Sequence, residues 1–253
     1  MGVVVAVANQ KGGVGKTSTA NALALGFQRG RKKVLAIDLD PQGNLSFSLG
    51  AETDNMPTAF HVLAQECAIG AAIQKTPLAD VVAGDITLSS VNIDSAQEGW
   101  EFILRDALGN VRAAYDYIII DTPPALSVLT VNAFTAADGL LVPILADIFS
   151  LQGLTRLNDT VARVREYSNP DLQLLGIVLT RFNPRTVLSR EIRVTASMIA
   201  DELGLPLLKT TIRASVAIAE AQSMQVDMFK YMPRNNAVQD YKHLVRELKE
   251  RGL

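Results

Sequence analysis

Seven consecutive residues, Lys11-Gly12-Gly13-Val14-Gly15-Lys16-Thr17, have the types and spacing for chemistry on phosphate. Glycines let a backbone turn so that successive N–H groups converge on phosphate oxygens, and a helix opening there adds its positive end. Lys16 then brings a cation to the β- and γ-phosphates of a nucleoside triphosphate, and the Thr17 hydroxyl brings a ligand to Mg²⁺. The run from Gly12 through Ser18 meets the pattern G-x-x-x-x-G-K-[ST] imperfectly, yet the physical logic is the same. A glycine-rich turn that binds nothing is the bland alternative. Against it stand an apolar run before the loop, a helical pattern after it, and the closing Lys-Thr pair.

Three carboxylates come next. Asp38 and Asp121 each close an apolar run, and Asp40 follows just beyond Asp38. In open parallel sheets ligands gather at the carboxyl ends of strands, where all three are expected. Asp121 and Asp38 are candidates to hold Mg²⁺, through water, and Asp40 to orient or deprotonate an attacking water. Aspartates at strand ends also serve as turn and capping residues. The following Thr122-Pro123-Pro124 makes that explanation less apt for Asp121.

The elements that must position these groups are legible as apolar runs. Residues 3–8, 33–38, 116–121, 139–145 and 173–180 read as buried strands. Helical spacing runs from about Lys16 to Gly30, where Ala20, Leu23, Ala24 and Phe27 recur on one side. Further helical stretches lie near 98–114, 151–168 and 187–203, and at 237–249, where Val238, Tyr241, Leu244, Val245 and Leu248 share a face. Strand–helix alternation predicts an α/β fold with a mostly parallel twisted sheet and helices on both faces. No repeat or linker is visible, so 1–253 is assigned to one domain; residues 51–95 are the least readable part.

Composition bounds the function. With 253 residues and 48% apolar content the chain can bury one sizeable core. A net charge of −2 means that any nucleic-acid surface must be a local patch. The single cysteine, Cys67, excludes an intramolecular disulfide and a cysteine-rich metal site. No stretch reaches the roughly 18 apolar residues of a membrane span, and no secretory signal pattern opens the chain; a cytoplasmic protein is expected.

The motif residues resemble a known family. Asn9 through Thr17 is similar to the deviant phosphate loop of the ParA/MinD ATPases, and most similar to the small, Soj-like partition proteins. The likeness continues through 34–43 (VLAIDLDPQG), 115–124 (YDYIIIDTPP), 129–133 (LTVNA), 176–193 and 217–221 (AIAEA). It implies ATP and Mg²⁺ as cofactors and a homodimer that sandwiches two nucleotides. Lys11 then reaches across to the partner's nucleotide, and Gly12 lies where the subunits approach. Lys11, Lys16 and Asp40 form the catalytic set, and Asp121 the strand-end aspartate. The phosphate cradle comprises Lys11, Gly12, Gly13, Val14, Gly15, Lys16, Thr17 and Ser18. Family members bind DNA without sequence preference as ATP dimers and let go after a ParB-like or adaptor partner stimulates hydrolysis. The implied location is cytoplasmic, on the nucleoid when ATP is bound. One departure is Ile212-Arg-Ala-Ser215 where relatives commonly read Ile-Pro-Arg-Asn: the proline is absent and the arginine has moved. The chain starts directly at its first strand, so operator repression is not expected.

Arg185, Lys209, Arg213 and Arg234 are the candidate DNA contacts, since several cations on one face are needed to displace counterions. Scattered solvated charge is the competing reading. A membrane-cycling relative would need an interfacial C-terminal helix, and the tail's mixed charge without Trp or Phe fits a core-docked helix better. An iron-protein reductase would need cysteine ligands. A relative that positions a protein microcompartment or chemoreceptor cluster differs only in its partner. His61 and His243 read as surface or packing residues, Trp100 as part of a helix on the sheet, and Met224, Met228 and Met232 as a core or interface stripe.

Overall fold

The structure, a computed structural model, describes residues 1–253 apart from 92 and 94–97, and apart from the side chains of 148, 149, 151 and 152. In chain order the strands are β1 Val3–Val7, β2 Val34–Asp38, β3 Ile73–Lys75, β4 Asp80–Val82, β5 Tyr117–Asp121, β6 Gly139–Leu145, β7 Gln173–Thr180 and β8 Leu207–Thr211. The longer helices are α1 Lys16–Gln28, α5 Ile103–Gly109, α6 Val128–Ala136, α7 Ile148–Tyr167, α8 Val187–Leu203, α9 Val216–Ser223 and α11 Asn236–Glu250. Short turns of helix complete the set: α2 Asn44–Ser48, α3 Ala59–Leu63, α4 Ile69–Ala72 and α10 Met228–Tyr231. The strands form one sheet in the order β3-β4-β2-β5-β1-β6-β7-β8, parallel except for the β3–β4 pair.

Period-two side-chain alternation explains why this sheet has two cores. Val4, Ala6, Ile118 and Ile120 point to the face covered by α5 to α8, whereas Val5, Val7 and Ile119 meet α1 and α11. Both faces are buried, so β1 and β5 read as unbroken apolar runs rather than alternating ones. In α1 the expected residues Ala20, Leu23, Ala24 and Phe27 are all buried. Phe27 stacks on Tyr117 with ring centroids 4.0 Å apart, pinning the helix to the central strand. Truncating Phe27 to alanine costs about 3–5 kcal/mol by the usual cavity penalty.

The predicted face of α11 is also buried: Val238, Tyr241, Leu244, Val245 and Leu248 pack against α1 and β8. That stripe belongs to the core, not to a bilayer interface. Among the described residues no helix is long and apolar enough to cross a membrane.

Several elements lie outside the sequence expectations. Residues 51–91 hold α3, α4 and the β3–β4 hairpin, whose three-residue strands are too short for a period to show; 92, 94 and 95 lie outside the described residues. The helix expected over 98–114 is a shorter α5 between single 3₁₀ turns at 100–102 and 112–114, with Trp100 in the first turn against α6. The methionines form no stripe, since Met228 is buried and Met224 and Met232 are exposed on separate segments. His61 completes the cap of α3, its Nδ1 accepting the Thr58 N–H at 3.1 Å.

Candidate nucleotide site

The glycine loop joins β1 to α1 at the carboxyl edge of the sheet, and its three glycines are there for different reasons. Gly13 and Gly15 have φ of +72° and +87°, a region that strains other residues. Gly12 has neither a positive φ nor any atom within 4 Å of an added Cβ, so nothing in this chain demands glycine there. Gly15 is the N-cap of α1 and supplies no side-chain acceptor, which leaves the first N–H groups of the helix open to an anion. The loop is braced from behind. Asn9 donates to Pro143 O at 2.7 Å and accepts the Lys11 N–H at 2.9 Å, and the Thr180 hydroxyl lies 2.8 Å from Val14 O. Thr180 was outside the expected set, because it arrives from a strand far along the chain.

The two lysines diverge. Lys16 is buried and donates to Lys11 O at 3.1 Å. Burial lowers its pKa, and the charges of Asp121 and Asp40 work against that, which places the ammonium between loop and carboxylates. Lys11 is half-exposed and points to Asp147, 2.9 Å away, and to Ser150 Oγ at 3.1 Å. Burial would raise the Asp147 carboxyl, but Lys11 and Ser150 hold it below the usual range. Asp147 also caps α7, accepting the Ser150 N–H at 2.8 Å. Ser18, expected in the phosphate cradle, gives its hydroxyl to Gln222 on α9 at 3.2 Å.

The carboxylates divide into three situations. Asp38 and Asp121 sit side by side in register on β2 and β5, both without exposed surface. Both Asp38 oxygens are engaged: Oδ1 accepts the Asp40 N–H at 3.0 Å, and Oδ2 accepts the Ser46 N–H and hydroxyl, each at 2.8 Å. Ser46 Oγ in turn accepts the Gly84 N–H at 2.8 Å, and a Cβ on Gly84 would clash with the backbone carbonyl of Asp38. Asp38 therefore closes its own loop, and a water-mediated contact with a metal ion would draw on the acceptor capacity that these three donors leave. The physical reason is that the Asp40 N–H and the Ser46 N–H and hydroxyl all donate to it, with Gly84 holding the Ser46 hydroxyl in place. Asp121 is the opposite case: both oxygens are buried and no donor meets either in full hydrogen-bond geometry, although the Thr17 hydroxyl is near enough to favour the charged form. Buried polar atoms without partners are rare and call for an ion or water. Burial, then the Asp38 charge, push its pKa well up, while Thr17 and Lys16 pull it down. Asp38 is itself raised to about 6, mainly by burial. Asp40, two residues past the end of β2, is also buried, with Oδ1 accepting the Gln42 N–H at 3.0 Å.

Beyond the loop opens a cavity of about 530 Å³ between Gly13–Gly15, Thr180, Arg181 and the 212–219 segment. A second cavity of about 330 Å³ adjoins it, lined by Arg181, Arg185, Arg213 and Asn236. Of the four expected DNA contacts, Arg185 and Arg213 thus meet in one cavity, with Arg234 two residues from its wall. Arg213 is tied to Asp240, with Nε and Nη2 each donating to the carboxylate at 2.8 and 2.6 Å, and this raises its pKa. Lys209 lies elsewhere on β8, where its N–H donates to Glu247 at 2.8 Å.

Comparison with known proteins places the chain in a family. A model of an AAA domain family matches residues 2–174. The chromosome partitioning protein ParA of Caulobacter vibrioides is 41% identical over 251 residues, covering 97% of this chain and 93% of that protein. The chain belongs to the ParA/MinD family of ATPases. The sporulation initiation inhibitor protein Soj of Bacillus subtilis is 35% identical, with both chains covered in full. A crystal structure described as cobyrinic acid a,c-diamide synthase from Mycobacterium smegmatis, with a bound ATP analogue and magnesium, superposes with a TM-score of 0.84. It is 31% identical and covers 97% of this chain and 93% of its own.

Proposed function

We propose that this ParA-family ATPase is a partition switch. It holds Mg·ATP between two copies, binds DNA without sequence preference in that state, and lets go after a partner stimulates hydrolysis. All 253 residues serve as one ATPase domain in this reading.

The observation that carries it is the orphaned carboxylate of Asp121, buried beside Lys16 at the foot of the phosphate loop. An acceptor-only pair of oxygens in that place fits a hard cation with its waters, and the Thr17 hydroxyl offers a second oxygen. Mg²⁺ held there by Asp121 and Thr17 would supply positive charge to offset that of the β- and γ-phosphates. Lys16 and the open N–H groups of α1 hold the phosphates. Asp40, just past the end of β2, accepts a proton from or orients the attacking water. Asp38 keeps the Asp40 backbone in place. Gly12 and Lys11 point to the second copy: the first is a glycine that no neighbour in its own chain requires, and the second is a cation kept away from its own phosphate site. Hydrolysis removes the γ-phosphate contacts that hold two negatively charged sites together.

An ATP-dependent amidation, as the name of the Mycobacterium smegmatis protein would suggest, is less well supported. Releasing ammonia from glutamine needs a cysteine activated as thiolate, and burial and Glu66 push the Cys67 thiol the other way. A cation-lined surface around Arg181 and Arg185 favours DNA as the partner, and with it location on the nucleoid. The deciding experiment is DNA retention by the protein with ATP or ADP at low and high salt, with turnover measured in parallel. ATP-dependent, salt-sensitive retention and DNA-modulated turnover are expected. Equal retention with both nucleotides would rule out the switch.

A further inference from the structure

We propose, resting on the assignment of the attacking water to Asp40, that Ser46 is a positioning residue for hydrolysis: through Asp38, its hydroxyl holds Asp40 in place. Residues 39–43, between β2 and α2, belong to no helix or strand. A side chain on such a loop is held only as well as the loop's anchors are. Asp38 is the first anchor, and its two oxygens serve different partners. Oδ1 accepts the Asp40 N–H, whereas both donors on Oδ2, an N–H and a hydroxyl, come from Ser46. The carboxylate is therefore a bridge from Ser46 to Asp40. The Ser46 N–H belongs to the first turn of α2, whose N-cap Gly43 brings no side-chain acceptor, so Asp38 caps that helix from outside. The N–H bond suffices for the cap, and the hydroxyl is free for a second task.

That task is to tie in a third segment. While donating to Asp38, the hydroxyl accepts the Gly84 N–H at 2.8 Å. Gly84 lies two residues past the end of β4, which pairs with β2 through Val82 and Ile37. Its backbone presses on both ends of the Asp40 loop. A Cβ on Gly84 would clash with the Asp38 carbonyl, and one on Gly43 would lie 2.8 Å from Gly84 O. Gly43 itself takes φ +62°, and its N–H donates to Asp40 O at 2.9 Å. Ser46 is 1% exposed, so bulk water does not stand in for its hydroxyl. Without that hydroxyl, Asp38 Oδ2 keeps one donor of two and the Gly84 N–H loses its acceptor. The carboxylate then turns more freely about its Cβ–Cγ bond, and the Asp40 N–H follows Oδ1. A shift of Asp40 by a fraction of an ångström harms the attack of water more than it harms nucleotide binding, because the phosphate loop and not Asp40 holds the phosphates.

Ser46→Ala tests the role, with ATP turnover measured beside affinity for a non-hydrolysable ATP analogue. Turnover should fall about tenfold or more, as misplacement of a water-orienting group does, while analogue affinity stays within about twofold. Ser46→Cys, of nearly the same shape but with a weak donor, should fall between Ser46→Ala and wild type, and it replaces Ser46→Ala in every comparison if that variant does not fold. A merely structural role is told apart in the Asp40→Ala background, by single-turnover hydrolysis of bound ATP. Adding Ser46→Ala to Asp40→Ala should bring no further loss, because the two changes act through one group. Wild-type turnover in the Ser46 variant would overturn the proposal. So would a matching loss of analogue affinity, or the same fold-loss in both backgrounds. Failure of the Asp40 assignment would look different: Asp40→Ala alone would turn over as wild type.

Discussion

The carboxyl edge of the sheet carries two regions of opposite character. At β2, β5 and β1 the ionisable groups are buried and few, as Asp38, Asp121 and Lys16 are, and hydrogen bonds fix Asp38 and Lys16. At β7 and β8 they are exposed, numerous and cationic, as Arg181 and Arg185 are. The first region works by desolvation, where each charge is felt strongly because water is absent. The second can work only by number, since a solvated charge is screened within about 10 Å. Single changes should therefore be severe in the first region and graded in the second.

The largest effects test the buried side. Lys16→Ala should abolish measurable ATP binding. Asp121→Asn should lower Mg²⁺-dependent turnover on the order of a hundredfold or more, as loss of a metal anchor does; near-normal turnover would remove Asp121 from the metal site. Next comes Asp40→Ala, expected to cost about 10²- to 10⁴-fold in turnover while ATP affinity stays within a few-fold. Parallel loss of both would mean that Asp40 shapes the loop instead of serving the water.

Smaller effects separate two arginines of the cationic side. Arg185→Ala should weaken DNA retention modestly and reduce the salt slope by about one. Arg213→Ala should leave that slope unchanged and instead cost about 1–3 kcal/mol in urea unfolding, because Asp240 is left buried without its partner. The reverse pattern would reassign the DNA surface to Arg213. Smaller still is the Lys11–Asp147 pair, half-exposed and so weak. Asp147→Asn keeps a good cap on α7 while releasing Lys11, and sedimentation should show ATP-dependent dimers favoured by up to about fivefold, the span of an exposed ion pair.

The gentlest test is pH. Asp38 is raised to about 6 and Asp121 is raised as well, so the folded state holds protons that the unfolded chain has already released. Stability must then grow as pH falls from about 7 towards 5, and the penalty is in full force above the folded pKa. The melting midpoint of the nucleotide-free protein should rise by a few degrees over that interval, given about 2–4 °C per kcal/mol at this size. The rise should shrink in Asp121→Asn. A midpoint that falls steadily over the same interval would show that the two carboxyls are not burdened as described.

Much of the buried region was legible in the sequence. Glycine spacing, the Lys-Thr pair, five apolar runs and the aspartates that close two of them are local patterns, governed by dihedral freedom and by burial of a short segment on both faces. β8 and the β3–β4 hairpin were not legible, because the first is half polar at a sheet edge and the second too short for a period. The division between Asp38 and Asp121 was equally hidden. The two look alike as strand ends, but Ser46, held by Gly84, and the Asp40 N–H satisfy one and leave the other bare. Long-range pairing decided the cations in the same way. Lys11 meets a carboxylate 136 residues away and Arg213 one 27 residues away, while Arg181 meets none among the described residues. By itself, then, the sequence determined where phosphate chemistry sits and which strands carry it. The tertiary structure decided which charges are free to act, because desolvation and pairing depend on groups that only the folded chain brings together.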